Sequence, residues 1–192
     1  MTPPATRGAT VAIALGRKHD QPIEQAYLVD FDYRVAARGA DYLQVGLNAE
    51  KGPLGTSNYR IVLEAVPLDA GRSFLHLSYS YGYGFAARVA MQGYLATIGS
   101  DKVGFSVEGR DADGKPKLVG GVRGVVERNT MRYYLAIDAY LDSLGAPKGA
   151  QQDKRLRDWF AATERYATQL HELSEEEYLS MKQRELARQA QR

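Results

Sequence analysis

Apolar and polar residues alternate with a period of two through the first half of the chain. Tyr27, Val29, Phe31 and Tyr33, for example, share one face, with aspartates between them. Such alternation is typical of β-strands that have one buried and one hydrated face. It predicts five strands, at residues 9–15, 24–36, 41–50, 59–65 and 75–81. Because the predicted loops between them are short, consecutive strands are expected to pair antiparallel, as in a meander.

The second half has a period near 3.6 and is predicted to be mainly helical. A short helix is expected at 85–98, a sixth strand at 102–109 and a turn at 111–117. A long helix follows at about 122–144. After a linker at 145–152, the pattern predicts helices at 153–172 and 174–188. The last one opens with Ser174 and Glu177, spaced as a capping box.

This order of elements predicts an α+β protein. We expect a domain at residues 1–148, in which an antiparallel sheet of about six strands is followed by the long helix. A helical extension is expected at 149–192. No apolar run is long enough to span a membrane, and 9–15 reads as a strand, since no cleavage-type sequence follows it.

Composition limits the kinds of site. Of the 192 residues, 44% are hydrophobic, and the formal net charge of +2 gives no strong attraction to nucleic acid or anionic membrane. The absence of cysteine excludes disulfides and thiolate metal sites. The three histidines, His19, His76 and His171, are widely separated. We therefore predict no metal site and no cofactor.

Three stretches resemble a group of uncharacterised bacterial START-like proteins: GPLGTSNYRIVLEAVPLDAGRSFLHLSYSYGYG, YLATIGSDKVGFSVEG and GGVRGVVERNTMRYYLAIDAYL. The resemblance spans roughly Val11 to Leu144. It implies a helix-grip fold of the Bet v 1-like kind, in which a curved sheet grips the long C-terminal helix. Relative to that group, the chain is expected to lack the N-terminal part. The helix at 85–98 departs from the simple Bet v 1-like plan. Only the resemblance suggests a periplasmic location, and the chain shows no signal peptide.

The long helix contributes three candidate ligand-binding residues. At about 100° per residue, Tyr133 and Tyr140 fall on an apolar arc that also contains the amide of Asn129. If Asn129 is buried, its amide needs a partner, and either a strand backbone or a ligand would provide one. Arg128 and Arg132 lie on the far side. They are interpreted either as a solvated face or as partners of acids in the 85–98 region or the C-terminal tail.

Tyrosines supply the second candidate set. Tyr79, Tyr81 and Tyr83 follow one another at a period of two, and Tyr33 shares the apolar face of its own strand. A tyrosine has an apolar body and a polar tip. These residues are interpreted either as core with hydroxyls at the rim or as an aromatic wall for a hydrophobic ligand.

Arg60, Glu64 and His76 are further candidate ligand-binding residues, and they lie opposite the main apolar alternation of neighbouring strands. Cross-strand pairing is one explanation. An enzyme of the cyclase or hydrolase type is the alternative, with Glu64 and His76, or Glu127, as acid–base groups. No residue is assigned a catalytic role, since no nucleophile motif is present.

These patterns give three hypotheses of function. The first is binding of a lipid-like or other hydrophobic small molecule between the sheet and the long helix. The second is the START-like enzyme. The third is a structural or interaction module, a homodimer for example, that pairs through the C-terminal helices with Trp159, Phe160 and Tyr166.

Overall fold

The computed structural model describes residues 8–16, 20–97 and 99–190. His19 and Ile98, the predicted end of the short helix, lie outside these ranges. The chain is α+β, as predicted, and divides into two compact units. The sheet unit comprises the described residues of Met1–Gly16 and Glu24–Gln92, and the helical unit comprises those of Arg17–Ile23 and Gly93–Arg192. The division falls between Gln92 and Gly93, so the long helix groups with the C-terminal helices.

The sheet unit contains one five-stranded antiparallel sheet in which every strand pairs with its neighbour in sequence. Its strands are β1 (Ala9–Leu15), β2 (Tyr27–Arg38), β3 (Leu43–Lys51), β4 (Thr56–Asp69) and β5 (Arg72–Tyr83). The predicted meander is therefore present. The bounds of β1 agree with the prediction, and the other four strands overlap the predicted segments but differ from them by up to four residues at an end. A sheet of about six strands is not confirmed. The sixth segment instead forms a separate hairpin, β6 (Val107–Arg110) with β7 (Pro116–Leu118).

One face of the sheet carries the core of its unit. Val29 and Phe31 of β2, Ala49 of β3 and Tyr59 of β4 are buried, and partly buried apolar residues of β1, β3, β4 and β5 pack against them. Residues between them along β2 are exposed, so burial follows the period of two. The register brings this apolar set together, since Leu47 of β3 pairs with Ile61 of β4.

The pairing is interrupted where the strands bend. The register shifts between Val35 and Ala37 in β2, and again between Ser57 and Arg60 in β4. Such bulges bend a strand and increase its twist. The turn before β4 also depends on Gly52, because a Cβ there would lie 2.3 Å from the Tyr59 ring. A larger residue at 52 would displace an aromatic ring of the sheet core.

The helical unit is built around a 23-residue helix. Its helices are α2 (Gly121–Ser143), α3 (Gln151–Glu164), the single turn α4 (Ala167–Leu170) and α5 (Glu175–Ala190). The short helix α1 (Phe85–Ala96) contains the division between the two units. The predicted helix at 153–172 is thus interrupted, since Arg165 and Tyr166 separate α3 from α4. None of the helices within the described ranges has the length and apolar character required to cross a bilayer.

The buried side of α2 is not the apolar arc that the sequence suggested. Leu135 and Ala139 are buried, together with Arg128, whereas Tyr140 and Leu144 of the predicted arc are about half exposed. Leu135 lies opposite Val126 on the helix, at about 100° per residue. Leu135 packs with Ala162 of α3 and Leu170 of α4. The arginine side was interpreted mainly as solvated, yet the helical unit folds over it.

Helices α3 and α5 share a second core. Tyr178 of α5 stacks on Trp159 and Phe160 of α3, with ring centroids 5.2 and 5.6 Å apart. The capping box at the start of α5 is present, because Ser174 Oγ accepts the Glu177 amide and donates to the Glu177 carboxylate. Trp159 and Phe160 of the tail are therefore used in the core of their own unit, whereas Tyr166 is 38% exposed.

The two faces of α2 make a matched test of this packing. We expect Leu135→Ala to lower the free energy of unfolding by about 2–5 kcal/mol, because it leaves a cavity beside α3 and α4. Leu144→Ala, at the C-cap of α2 and half exposed, should cost under about 1 kcal/mol. Urea unfolding followed by circular dichroism measures both. Equal losses would contradict the assignment of the buried face.

Candidate functional site

Tyrosines form a continuous stack on the apolar face of the sheet. Tyr59 stacks on Tyr81 with ring centroids 5.4 Å apart and planes 13° apart. Tyr79 lies 5.5 Å from Tyr81, and Tyr83 lies 6.2 Å from it on the other side. Because the three β5 rings are spaced two residues apart, the strand itself places them in a row. Tyr33 is half-buried on the same face of β2, where it pairs with Leu47.

These tyrosines differ in their role within the unit. Tyr59 is buried, and its hydroxyl donates to Thr56 Oγ1 at 2.7 Å, so both ends of this side chain are used in the fold. Tyr79 and Tyr81 are only half-buried, and Tyr83 is 40% exposed. Exposure therefore increases along the stack, from the buried ring of Tyr59 to the accessible ring of Tyr83. That accessible part is the candidate ligand-binding surface of the sheet, which we call the tyrosine face.

The opposite face of the sheet carries a hydrogen-bonded cluster around Glu64. Its Oε1 accepts hydrogen bonds from the Tyr42 hydroxyl and from the amide of Gln44, the latter at 3.3 Å. Its Oε2 lies 2.9 Å from His76 Nδ1, which the β4–β5 register places directly opposite. The predicted Glu64–His76 pair thus exists, as a cross-strand pair.

Electrostatics at this cluster favour an ionised glutamate. The hydrogen bond from Tyr42, followed by that from His76, lowers the pKa of Glu64 below its ordinary value. The Glu64 carboxylate raises the pKa of Tyr42 in turn. The side chain of His76 is 56% exposed. The cluster is therefore a surface network, in which the described residues leave the imidazole open to water.

Arg60 lies on the same polar face, in a broad groove. The groove has a volume of about 840 Å³ and is lined by acids, bases and amides, among them Asp30, Asp32, Arg34 and Asn48. Across the strands, however, Arg60 stands opposite Asn48 and Ser80, and the ion pair in this groove, between Arg34 and Asp32, lies within β2. Among the described residues, no group of three or more acids or histidines is arranged to hold a metal ion.

The candidates on α2 lie in the helical unit. Asn129 is half-buried, and no residue within the described ranges accepts or donates a hydrogen bond at its side chain. Water can satisfy an amide that is only half-buried, so the strand contact expected for it is not required. Tyr133 is 38% exposed. Tyr140 stacks under the Arg155 guanidinium of α3, 4.3 Å from the ring centroid.

Glu127, the other proposed acid–base group, is used to anchor a loop. Its Oε2 accepts the backbone N–H groups of Phe105 and Ser106 at 2.7 and 2.9 Å, and its Oε1 accepts Arg123 Nε at 3.0 Å. Burial opposes ionisation, but these donors hold the pKa of Glu127 below its ordinary value. Gly104 belongs to this anchor, since a Cβ there would lie 2.6 Å from the carboxylate.

The sequence did not predict a cavity inside the helical unit. It has a volume of about 190 Å³ and lies between α2, α3 and α5, with Arg132, Trp159 and Tyr178 in its lining. Arg132 pairs with Glu172, as one of the two interpretations of that arginine expected. Trp159 donates from its indole to the Arg132 carbonyl at 3.3 Å. The helical periodicity of the sequence could not predict this cavity, because the cavity depends on how α2, α3 and α5 pack together.

Tyr42 was also missed. It precedes β3 and shares its polar side with Gln44, which the register pairs with Glu64. Tyr42 is therefore diagonal to Glu64 across the two strands, and a tyrosine side chain is long enough for its hydroxyl to reach a diagonal neighbour. The signal was therefore available, but only once the register of β3 and β4 was known.

The pKa of Glu64 provides a direct test of this network. Tyr42→Phe removes the largest stabilising hydrogen bond, so the pKa of Glu64 should rise toward its ordinary value of 4.5. Because the folded pKa is depressed, the contribution of the network to stability is present above the ordinary value and is lost as the pH falls through the folded value. Carboxyl ¹³C NMR titration measures the shift. Gln44→Leu, which removes the weakest of the hydrogen bonds, is the matched control and should move the pKa less.

Comparison with known proteins adds no assignment: no family model, curated protein or solved structure matches the chain.

Proposed function

We propose that the protein binds a lipid-like or other hydrophobic small molecule, and that the tyrosine face of the sheet forms a wall of the binding site. The observation that supports this most directly is the graded stack from buried Tyr59 to accessible Tyr83. Aromatic rings contribute large apolar area with few rotatable bonds, and sites for small molecules are commonly lined in this way.

The helix-grip arrangement belongs to the same proposal. An antiparallel meander followed by a long helix agrees in element order with START-like proteins. Fold alone does not give function, so the proposal depends on the tyrosine face.

Geometry gives less support to the enzyme and to the interaction module. Glu64 and His76 pair on the hydrated side of the sheet, and Glu127 is occupied by two backbone amides. Trp159 and Phe160 pack against Tyr178 within one helical unit. A hydrophobic small molecule is therefore the partner that we propose.

Ligand binding is measured in two steps. Native mass spectrometry of the freshly purified chain should show a co-purifying apolar compound, and a fluorescent fatty-acid probe should bind saturably. The double variant Tyr79→Ala and Tyr81→Ala should weaken probe binding about tenfold or more, because two accessible rings are lost and about 1.4 kcal/mol corresponds to tenfold.

Phe74→Ala is the matched control. Phe74 is another aromatic residue of β5, but it lies on the opposite face and is 57% exposed. Its removal should leave the affinity for the probe unchanged. Equal losses in the two variants, or no binding by the unaltered chain, would rule out the tyrosine face as the site.

A further inference from the structure

The cavity of the helical unit combines an apolar lining with one charged end. Trp159, Phe160, Leu173, Tyr178 and Met181 supply its aromatic and aliphatic walls, and Arg132 supplies a guanidinium. Its volume of about 190 Å³ exceeds the ~150 Å³ cavity that holds a benzene ring by roughly the size of a short substituent. A ligand of about one ring with a short polar arm would fit this space.

Arg132 has unused hydrogen-bonding capacity at this end. Its side chain is only 14% exposed. Both of its hydrogen bonds leave from Nη2, to Glu172 Oε1 at 2.8 Å and to the Leu170 carbonyl at 3.5 Å. Within the described ranges, Nε and Nη1 donate to nothing. A guanidinium offers five N–H donors in a planar fork, so an acceptor of matching geometry can still bind.

Positive charge around Arg132 exceeds the negative charge nearby. Glu172 is shared between Arg132 and Lys102, whose Nζ lies 2.6 Å from Oε2. Arg128 is only 2% exposed and donates from Nη1 to the Val103 carbonyl at 3.1 Å, with no acid at ion-pair distance in the described part of the chain. Arg132 and Lys102 thus share one carboxylate, and the charge of Arg128 acts on Arg132 in addition. Burial lowers the pKa of Arg132, Glu172 opposes that shift, and the charge of Arg128 adds to it.

The other charged residues that line the cavity have partners of their own. Glu164 lies 3.0 Å from His171 Nδ1, and Lys182 lies 2.8 Å from Glu185. The Glu164 carboxylate would repel an anion held close to it. An anionic group is therefore favoured only at the Arg132 end, where the excess of positive charge lies.

We infer that this cavity binds a small apolar carboxylate, with its ring or chain between Trp159 and Tyr178 and its carboxylate on the free edge of Arg132. A carboxylate fits better than a neutral acceptor because it supplies two coplanar oxygens and offsets the uncompensated charge of Arg128. The site is independent of the tyrosine face, since all of its residues belong to the helical unit.

Trp159 makes the experiment specific, because it is the single tryptophan of the chain and lines the cavity. Phenylacetate and phenylacetamide serve as probes of nearly equal size that differ in charge. Tryptophan emission and the indole N–H signal in NMR should shift saturably with phenylacetate. Phenylacetamide should bind at least about tenfold more weakly, as expected for loss of a hydrogen bond between charged groups.

Two variants and one control locate the site. Arg132→Gln should bring the affinities for phenylacetate and phenylacetamide to within about twofold of each other. Leu173→Trp, which fills the cavity, should abolish binding of both probes. Both effects are followed in ¹H–¹⁵N NMR spectra. Arg157→Gln removes a cation that is paired with Asp153 on the surface of α3 and should change neither affinity.

The inference fails if the unaltered chain binds acid and amide equally, or if neither probe perturbs Trp159. It also fails if Arg132→Gln, shown to be folded by its unfolding temperature, keeps the preference for the acid. If Arg132→Gln does not fold, Arg132→Lys replaces it: this variant keeps the charge but loses the fork, and it should bind phenylacetate more weakly than the unaltered chain does. Loss of fatty-acid probe binding in the Tyr79 and Tyr81 variant, with phenylacetate binding intact, would separate the two sites.

Discussion

The helical unit is organised by the need to solvate two guanidinium groups on the buried side of α2. An arginine can leave water only where oxygen atoms replace its hydration shell. For Arg128 that oxygen is the Val103 carbonyl, and for Arg132 it is the Leu170 carbonyl together with Glu172. These acceptors come from the loop before β6 and from the end of α4. Satisfying the two arginines therefore fixes both segments against α2, and Leu135 packs with Leu170 as a result.

The sheet unit is organised differently. Alternation of apolar residues determines which face is buried, and a bulge and a glycine turn modify the strand pairing locally. Its buried and partly buried core residues occupy odd-numbered positions on the five strands, and the register aligns them across the sheet. The bulge near Ser57 occurs just before the buried Tyr59. The Gly52 turn leaves room for that ring. The backbone geometry at Gly52 and Ser57 thus positions the buried ring of Tyr59. The more accessible rings of the stack pack against that buried ring.

Prediction from the sequence was successful where residues close together in the chain determine the element. The strand of residues 9–15, the alternation through Phe31 and the capping box at Ser174 each depend on residues close in sequence, and all are present. It was wrong about α2. Hydrophobicity ranked Tyr140 and Leu144 above Arg128, but the stems of arginine side chains pack like aliphatic residues when their charged ends find oxygen. Which oxygens those are depends on contacts 25 to 40 positions away, between Arg128 and Val103 and between Arg132 and Glu172.

The same limit applies to charge. A formal net charge of +2 predicts no strong attraction to nucleic acid or anionic membrane, but a net charge is a sum over the whole chain and does not show where individual charges lie. Screened surface pairs such as Arg157 with Asp153 add little to binding or to stability. Arg128 is 2% exposed and the Arg132 side chain is 14% exposed, so their charges are screened less than those of surface pairs. For the anion site inferred at Arg132, burial rather than composition is therefore the property that decides its position.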